Sequence, residues 1–279
     1  MLKSTISILV CMASISTNAQ PYVDVINVRY SSSLSNNKGA TSFTHLYVGS
    51  DLPFKLKNNK LVVLSPFFEQ WNIDSINNKH YLPAVSSITM ALSAIIPLNK
   101  NHWSLTATAV PRFNSEALQL HNSYQMGGVL LATYKKRNNL KYKLGVYVNS
   151  EFFGLFVMPL AGIDWKINEH NYLFGVLPGR LTYEHQLSYA FYTGATFRAV
   201  TNSYRLNNSQ YLRIDDNQTS AYLDWYAAKH LVFSGEMGYG IMRKLRTGFG
   251  HNKNYNTVYN WDDGLFFRLS ASYRIRLKS

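Results

Sequence analysis

The sequence predicts an all-β chain, a transmembrane antiparallel up-and-down β-barrel of 12–14 strands, with fourteen preferred. Three observations predict it. Apolar and polar residues alternate with a period of two along most of 22–278. The connections between these runs fall into a short class and a long class that take turns along the chain, as the periplasmic turns and outer loops of such barrels do. The composition suits a lipid-facing wall, with 46% hydrophobic but only 15% charged residues, against roughly a quarter charged in soluble domains. No stretch of about 18 apolar residues occurs, which excludes a multi-pass helical membrane protein. The aromatic content of 14%, with 20 Tyr, excludes a disordered chain.

The first element is an address. Lys3 supplies a basic start, 5–14 is apolar with small residues, and Thr17 and Ala19 stand at −3 and −1 of a cut before Gln20. Residues 1–19 are read as a secretory signal peptide and 20–279 as a single outer-membrane barrel domain. Cys11 would suit a lipoprotein only behind a small residue, and Val10 is not small. Cleavage removes the only cysteine, so neither disulfides nor cysteine-based zinc sites are expected. The formal charge of +13 ordinarily points to nucleic acid. Export sets that partner aside in favour of outer-membrane lipids, lipopolysaccharide or anionic solutes, with the barrel-assembly machinery as the folding partner.

The strands follow at 22–32, 41–54, 60–73, 82–98, 103–113, 123–135, 140–151, 156–166, 171–178, 180–187, 189–203, 217–228, 231–247 and 264–278. The last is the clearest. Leu265, Phe267, Leu269, Ala271, Tyr273, Ile275 and Leu277 share one face, and Phe266, Arg268, Ser270, Ser272, Arg274 and Arg276 share the other. Its length exceeds the usual soluble strand of about five or six residues and suits a tilted membrane strand of roughly 9–11 with overhang. The same alternation sets Leu140, Tyr142, Leu144, Val146 and Val148 against Lys141, Lys143, Tyr147 and Asn149, and sets Ile88, Met90, Leu92 and Ala94 against Ser87, Thr89 and Ser93. The weakest stretch is 172–186. There Pro178-Gly179 makes a tight reversal between two short strands, or the segment folds inward and leaves twelve strands in the wall.

Short turns are expected at Asn58-Asn59 and at 99–102, 136–139, 168–171 and 228–230. Long connections are expected at 31–40, 74–80, 114–122, 204–218 and 248–261. Tyr81, Trp103, Tyr134, Trp165, Tyr172 and Trp225 lie near strand ends, where interfacial girdles form.

The stretches PLAGIDWKI (159–167), LFGVLPGRLTYEHQLS (173–188), FRAVTNSYRL (197–206) and YLRIDDNQ (211–218) resemble an uncharacterised family of Gram-negative outer-membrane β-barrel proteins, a domain of unknown function. The resemblance implies a barrel fold and an outer-membrane address, and it carries no ligand or catalytic residue. Many outer-membrane barrels end their last strand in an aromatic used for assembly. This chain ends Arg276-Leu277-Lys278-Ser279, with Tyr273 upstream.

Chemistry is expected on the polar faces, because a lipid face can only be apolar. Asp164, Arg180, Glu184, Arg198, Asp224, Glu236, Arg268 and Arg274 are the candidate lumen charges, together with Lys141, Lys143, Glu151, Lys244 and Arg276. They would form a paired ladder that rigidifies a narrow barrel, or a cationic path for anionic solutes. His121-Asn122-Ser123 is an H-x-S triplet at a strand start, and alternation would put imidazole and hydroxyl on one face. Outer-membrane phospholipases and lipid A deacylases have an H-x-S in a comparable setting, and the phospholipases continue Asn-Gly where this chain continues Tyr124-Gln125. Glu116 or Glu151 are the candidate third groups. Arg213 with Asp215-Asp216 reads as a local ion pair in a loop, with too few oxygens for calcium. No P-loop, dinucleotide fingerprint, HExxH or EF-hand occurs, and no cofactor or metal is expected. Three roles follow: a structural or narrow pore or binding barrel for small anions, an outer-leaflet lipid acyl hydrolase using Ser123 and His121, and a secreted soluble β protein.

Overall fold

The computed structural model describes residues 21–34, 41–73, 82–98, 102–118, 120–207, 209–250 and 255–277. The expected signal peptide, 1–19, lies outside them, as does Tyr81. Among the described residues, sixteen strands form one antiparallel sheet that closes into a barrel. They are β1 (Tyr22–Ser33), β2 (Phe43–Gly49), β3 (Leu52–Lys55), β4 (Leu61–Ile73), β5 (Val85–Pro97), β6 (Trp103–Glu116), β7 (Tyr124–Arg137) and β8 (Leu140–Glu151). There follow β9 (Gly154–Lys166), β10 (Asn171–Leu177), β11 (Arg180–Gln186), β12 (Phe191–Arg205), β13 (Gln210–Tyr226), β14 (Leu231–Phe249), β15 (Tyr255–Asn260) and β16 (Gly264–Arg276).

The sixteen strands make fourteen staves, because two staves are broken. β2 and β3 lie in line against β4, and β15 and β16 lie in line against β14. The ring closes where β1 pairs with β16 from Tyr22↔Arg276 to Ser33↔Phe266. The stretch 172–186 stays in the wall as β10 and β11. The strand ends that flank the turns expected to be short lie at the end that also holds Tyr22 and Arg276, and the strand ends that flank the long connections lie at the other.

The alternation sorts the faces as two-fold pleating requires. Met90, Leu92, Leu130, Leu144, Leu155, Val157 and Leu269 are exposed on the outside, while Thr89, Gln125, Asn149, Asp164, Thr182, Asp224 and Arg268 are buried within. Near the short-turn end Trp103, Tyr142, Phe191, Trp225, Phe233 and Tyr273 are exposed in a girdle. Tyr172 departs from the expectation. It faces inward and packs with Tyr22 and Phe174.

Three further expectations are corrected. The stretch 204–218 is not a long loop. β12 runs to Arg205, β13 starts at Gln210, and the two pair along their whole length. Its polar residues read as a loop because they face other parts of the protein rather than lipid; Asp215 and Asp216 are strand residues. The connection 248–261 likewise contains β15. Lys244 does not face the lumen, because a bulge in the β13–β14 pairing at Met242, with φ of 53°, exchanges the faces of β14. Arg243 and Leu245 turn inward in its place and are buried.

Two features of the wall position the site. The upper lumen, at the long-loop end, is packed by a hydrophobic core in which Phe43, Trp71, Val85, Tyr204, Leu212, Ile214, Leu245 and Phe266 are buried. Its residues come from opposite sides of the ring, because the upper part of β12 leans inward far enough to bridge β6 at Arg205↔Ser115. Beside it the wall is low. β10 and β11 have seven residues each and turn at Pro178-Gly179, where every neighbouring stave continues upward.

Candidate functional site

The lumen below the core is stacked in layers. The uppermost layer is a polar knot that holds the inward lean of β12. The buried Glu151 carboxylate accepts from the Ser203 N–H (3.1 Å) and Oγ–H (2.6 Å), from Gln125 Nε2 (3.2 Å) and from Asn149 Nδ2. Glu69 accepts from Asn202 Nδ2 and from the Tyr204 hydroxyl, each at 3.0 Å, and meets His45 Nε2 at 3.2 Å. Arg112 joins the two groups, donating to Asn202 Oδ1 (2.9 Å) and the Tyr147 hydroxyl and lying 3.8 Å from Glu151. Every carboxylate here has several donors, which is the condition for burying one.

Under the knot lies a cavity of about 630 Å³. Val110, Val129, Leu131, Phe156, Met158 and Leu160 line much of its wall. These are inward-facing positions of β6, β7 and β9, where a barrel lumen is ordinarily polar.

The floor of the cavity is a layer of arginines. Arg180 on β11 stands directly opposite Arg198 on β12, and Arg29 and Arg268 join them at the same cavity. Like charges directly opposite on neighbouring strands destabilise a sheet. Of the four, Arg268 is fully paired. It donates to Glu236 (2.7 Å), Ser31 Oγ (2.8 Å) and Gln218 Oε1 (2.5 Å). Arg29 lies over the Tyr47 ring at 3.8 Å. Arg180 donates to Thr182 Oγ1 (3.0 Å) and reaches the Tyr22 hydroxyl at 3.5 Å. Among the described residues, no carboxylate lies within ion-pair distance of Arg29, Arg180 or Arg198. The same three arginines line a polar cavity of about 140 Å³ on their lower side. There the Tyr222 hydroxyl, Arg29 Nε and Asn27 Oδ1 have no hydrogen-bond partner among the described residues.

The lowest layer is a paired ladder. Arg274 bridges Asp24 (2.6 Å) and Asp224 (2.5 Å) and lies over the Tyr22 ring at 3.7 Å. Arg276 meets Glu184 at 2.7 Å and donates to the Tyr226 hydroxyl at 3.0 Å. Lys143 meets Asp164 at 2.7 Å.

The candidate residues therefore divide between two layers. Asp164, Glu184, Asp224 and Arg274 belong to the ladder. Arg180, Arg198 and Arg268 belong to the arginine layer, with Glu236 bound to Arg268. Arg29 and Arg112 were not singled out from the sequence. Parity carries the signal for Arg29, which sits between the outward Val28 and Tyr30. Arg213 and Asp215 do pair, at 2.8 Å, and Asp215 also takes Arg246 at 2.9 Å, whereas Asp216 pairs with Arg243 at 2.9 Å.

The H-x-S triplet is not brought together. Asn122 takes a positive φ of 56° and breaks the alternation. The buried Ser123 hydroxyl donates to the Leu120 carbonyl at 3.0 Å, while His121 is exposed in the turn. Glu116 accepts from the Asn207 N–H, and Glu151 belongs to the polar knot.

The sequences grouped as a domain of unknown function, DUF6268, match residues 22–279. The chain belongs to that family. The DUF6268 barrel is similar to the COG4313 outer membrane channel from Pseudomonas putida F1, at 8% identity, covering 93% of this chain and 98% of that one, with a TM-score of 0.51. It is also similar to the NanC porin, at 9% identity over 90% and 100% of the two chains with a TM-score of 0.41. A third similar structure is the KdgM porin in complex with disordered oligogalacturonate, at 9% identity over 88% and 98% with a TM-score of 0.36. No curated protein matches the chain. At 8% identity the likeness to the COG4313 channel establishes the fold alone, an outer-membrane type of barrel.

Proposed function

We propose that this chain is an outer-membrane barrel that binds small anionic solutes at the arginine layer. The observation that carries the reading is the cross-strand pair Arg180 and Arg198, directly opposite in register, with no carboxylate within ion-pair distance among the described residues although Asp24, Asp51, Asp224 and Glu236 line the same polar cavity. A folding chain gains nothing from that arrangement, because like charges directly opposite are destabilising. An anion between the two guanidiniums relieves the repulsion and takes bidentate, charge-assisted hydrogen bonds. The unpaired Arg29 Nε and Tyr222 hydroxyl offer further donors to the same guest. A core packed into the long-loop end argues for a binding barrel rather than an open pore.

Calorimetric titration of acetate into the purified barrel tests the reading. The expected result is saturable binding that weakens at least ten-fold in Arg198→Gln. Equal affinity in that variant, or no binding by the unaltered chain, overturns it. The lipid hydrolase reading has no geometry to recommend it, since the Ser123 hydroxyl is engaged by a backbone carbonyl.

A further inference from the structure

We infer that the ligand is a single-chain amphipathic anion, with its head on the arginine layer and its apolar tail in a gap of the barrel wall that faces the bilayer. This rests on the anion reading above and names the class of molecule.

The gap follows from strand lengths. Seven residues at about 3.3 Å each reach about 23 Å along a strand. At a tilt of roughly 40° this covers about 18 Å of height, less than the apolar band of about 25 Å. β10 pairs with β9 only up to Leu177↔Ala161. Above that point, 154–160 of β9 pair with β8 alone. On the other side, β11 stops at Arg180↔Arg198, and Ala199 N–H to the Gly179 carbonyl, at 3.1 Å, is the last bond across. Among the described residues the sides meet again towards the top, where Phe152 N–H donates to Ser203 Oγ at 2.9 Å and Phe153 and Phe156 pack with Tyr211 and Tyr255.

The rim of the gap suits apolar depth. Pro159 lies on the unpaired edge of β9 and Pro178 at the hairpin tip, and proline has no N–H to leave unsatisfied in lipid. Phe156, Met158, Leu160, Val176, Pro178 and Val200 line both the gap and the cavity behind it, so the two are continuous. The packed core above bars the long-loop end. What remains is an apolar-walled space of about 630 Å³, open to the bilayer on one side and floored by four guanidiniums, of which only Arg268 has a carboxylate within ion-pair distance among the described residues. Pockets for small ligands run roughly 300–1,000 Å³. A hydrophilic anion would leave the apolar wall unused, and a neutral hydrocarbon would leave the arginines repelling one another. An alkyl carboxylate matches both.

Labelled acetate, octanoate and dodecyltrimethylammonium, bound to the protein in phosphatidylcholine nanodiscs with empty discs subtracted, make the test. The buried tail should tighten binding about four-fold per methylene, from ~0.8 kcal/mol each. Octanoate should therefore bind at least 100-fold tighter than acetate, and the cationic amphiphile should not bind. Leu160→Trp, which fills the gap, should abolish the advantage of octanoate while acetate binding persists and reports that the variant has folded. Val200→Phe serves as a milder version if the first does not fold. Acetate bound as tightly as octanoate, or an octanoate advantage that survives both variants, overturns the amphipathic ligand and leaves the anion reading standing. Binding of the cationic amphiphile alone, or of none of the three, removes both.

Discussion

The two charged layers of the lumen are built from the same residue types and differ in one respect. In the lower ladder three basic groups have acidic partners: Arg274 has Asp24 and Asp224, Arg276 has Glu184, and Lys143 has Asp164, while Lys141, beside Lys143 on the same face, makes no ion pair among the described residues. One layer up, Arg29, Arg180 and Arg198 have none among the described residues. The ladder is what a narrow barrel needs to hold buried charge. Like charges directly opposite oppose pairing in the arginine layer, and on the proposed reading an anion from outside supplies the missing partner. The comparison also locates the chain's basicity. Its surplus on the inside is concentrated at one level rather than spread over the lumen.

Substitutions separate the two layers, and the largest effect belongs to the ladder. Arg274→Ala leaves Asp24 and Asp224 facing each other with no cation. The expected loss is about 3 kcal/mol, at the low end for buried pairs because Asp24 is partly solvated. It should be read as a lower temperature for the loss of heat-modifiable gel mobility. A loss as large in Arg198→Gln would erase the distinction between the layers.

A second comparison runs across one strand. Val157 faces lipid, and Val157→Arg should cost about 2–4 kcal/mol at mid-bilayer depth. Met158 faces the cavity, and Met158→Arg should cost clearly less. Chemical denaturation of the two variants in lipid vesicles checks this, and equal costs would mean that β9 is not at membrane depth.

These contrasts rest on parity, and parity was the legible part of the sequence. The inward face of β16 follows from period-two alternation, because a strand has only two faces and lipid tolerates only one kind of residue; the short-turn end follows from loop lengths, and alternation left 172–186, and so the choice between twelve and fourteen staves, open. What parity does not show is where a strand leaves the wall. β12 and β13 lean into the lumen above Arg198, so Arg213, Asp215 and Asp216 face protein on both sides and read as a polar loop. The bulge at Met242 reverses the faces of β14 without any proline or glycine at that residue to signal it. Pairing was illegible for a related reason. Arg198 and Arg274 look alike on their strands, and only the closed ring shows that Asp24 and Asp224 reach one of them, while the cross-strand neighbour of Arg198 is another arginine.

A smaller effect is expected at the H-x-S turn. Ser123→Ala removes one buried hydrogen bond to the Leu120 carbonyl and should cost about 1 kcal/mol. His121→Ala should leave both melting and any lipid hydrolysis unchanged. Hydrolysis of phospholipid that disappears in both variants would restore the enzymatic reading.

The smallest change, and the most informative, comes from neutralising the arginine layer. Arg180→Gln/Arg198→Gln removes the cross-strand repulsion, worth roughly 0.2–1 kcal/mol. The deciding measurement is the melting temperature of this double variant and of the unaltered chain across a series of acetate concentrations. Without acetate the variant should melt at or above the unaltered chain. With acetate the unaltered chain should rise as a ligand bound to the folded state requires, and the variant should stay flat. A variant that melts lower without acetate and gains as much with it would show the arginines to be structural, contradicting the claim that the layer awaits an anion.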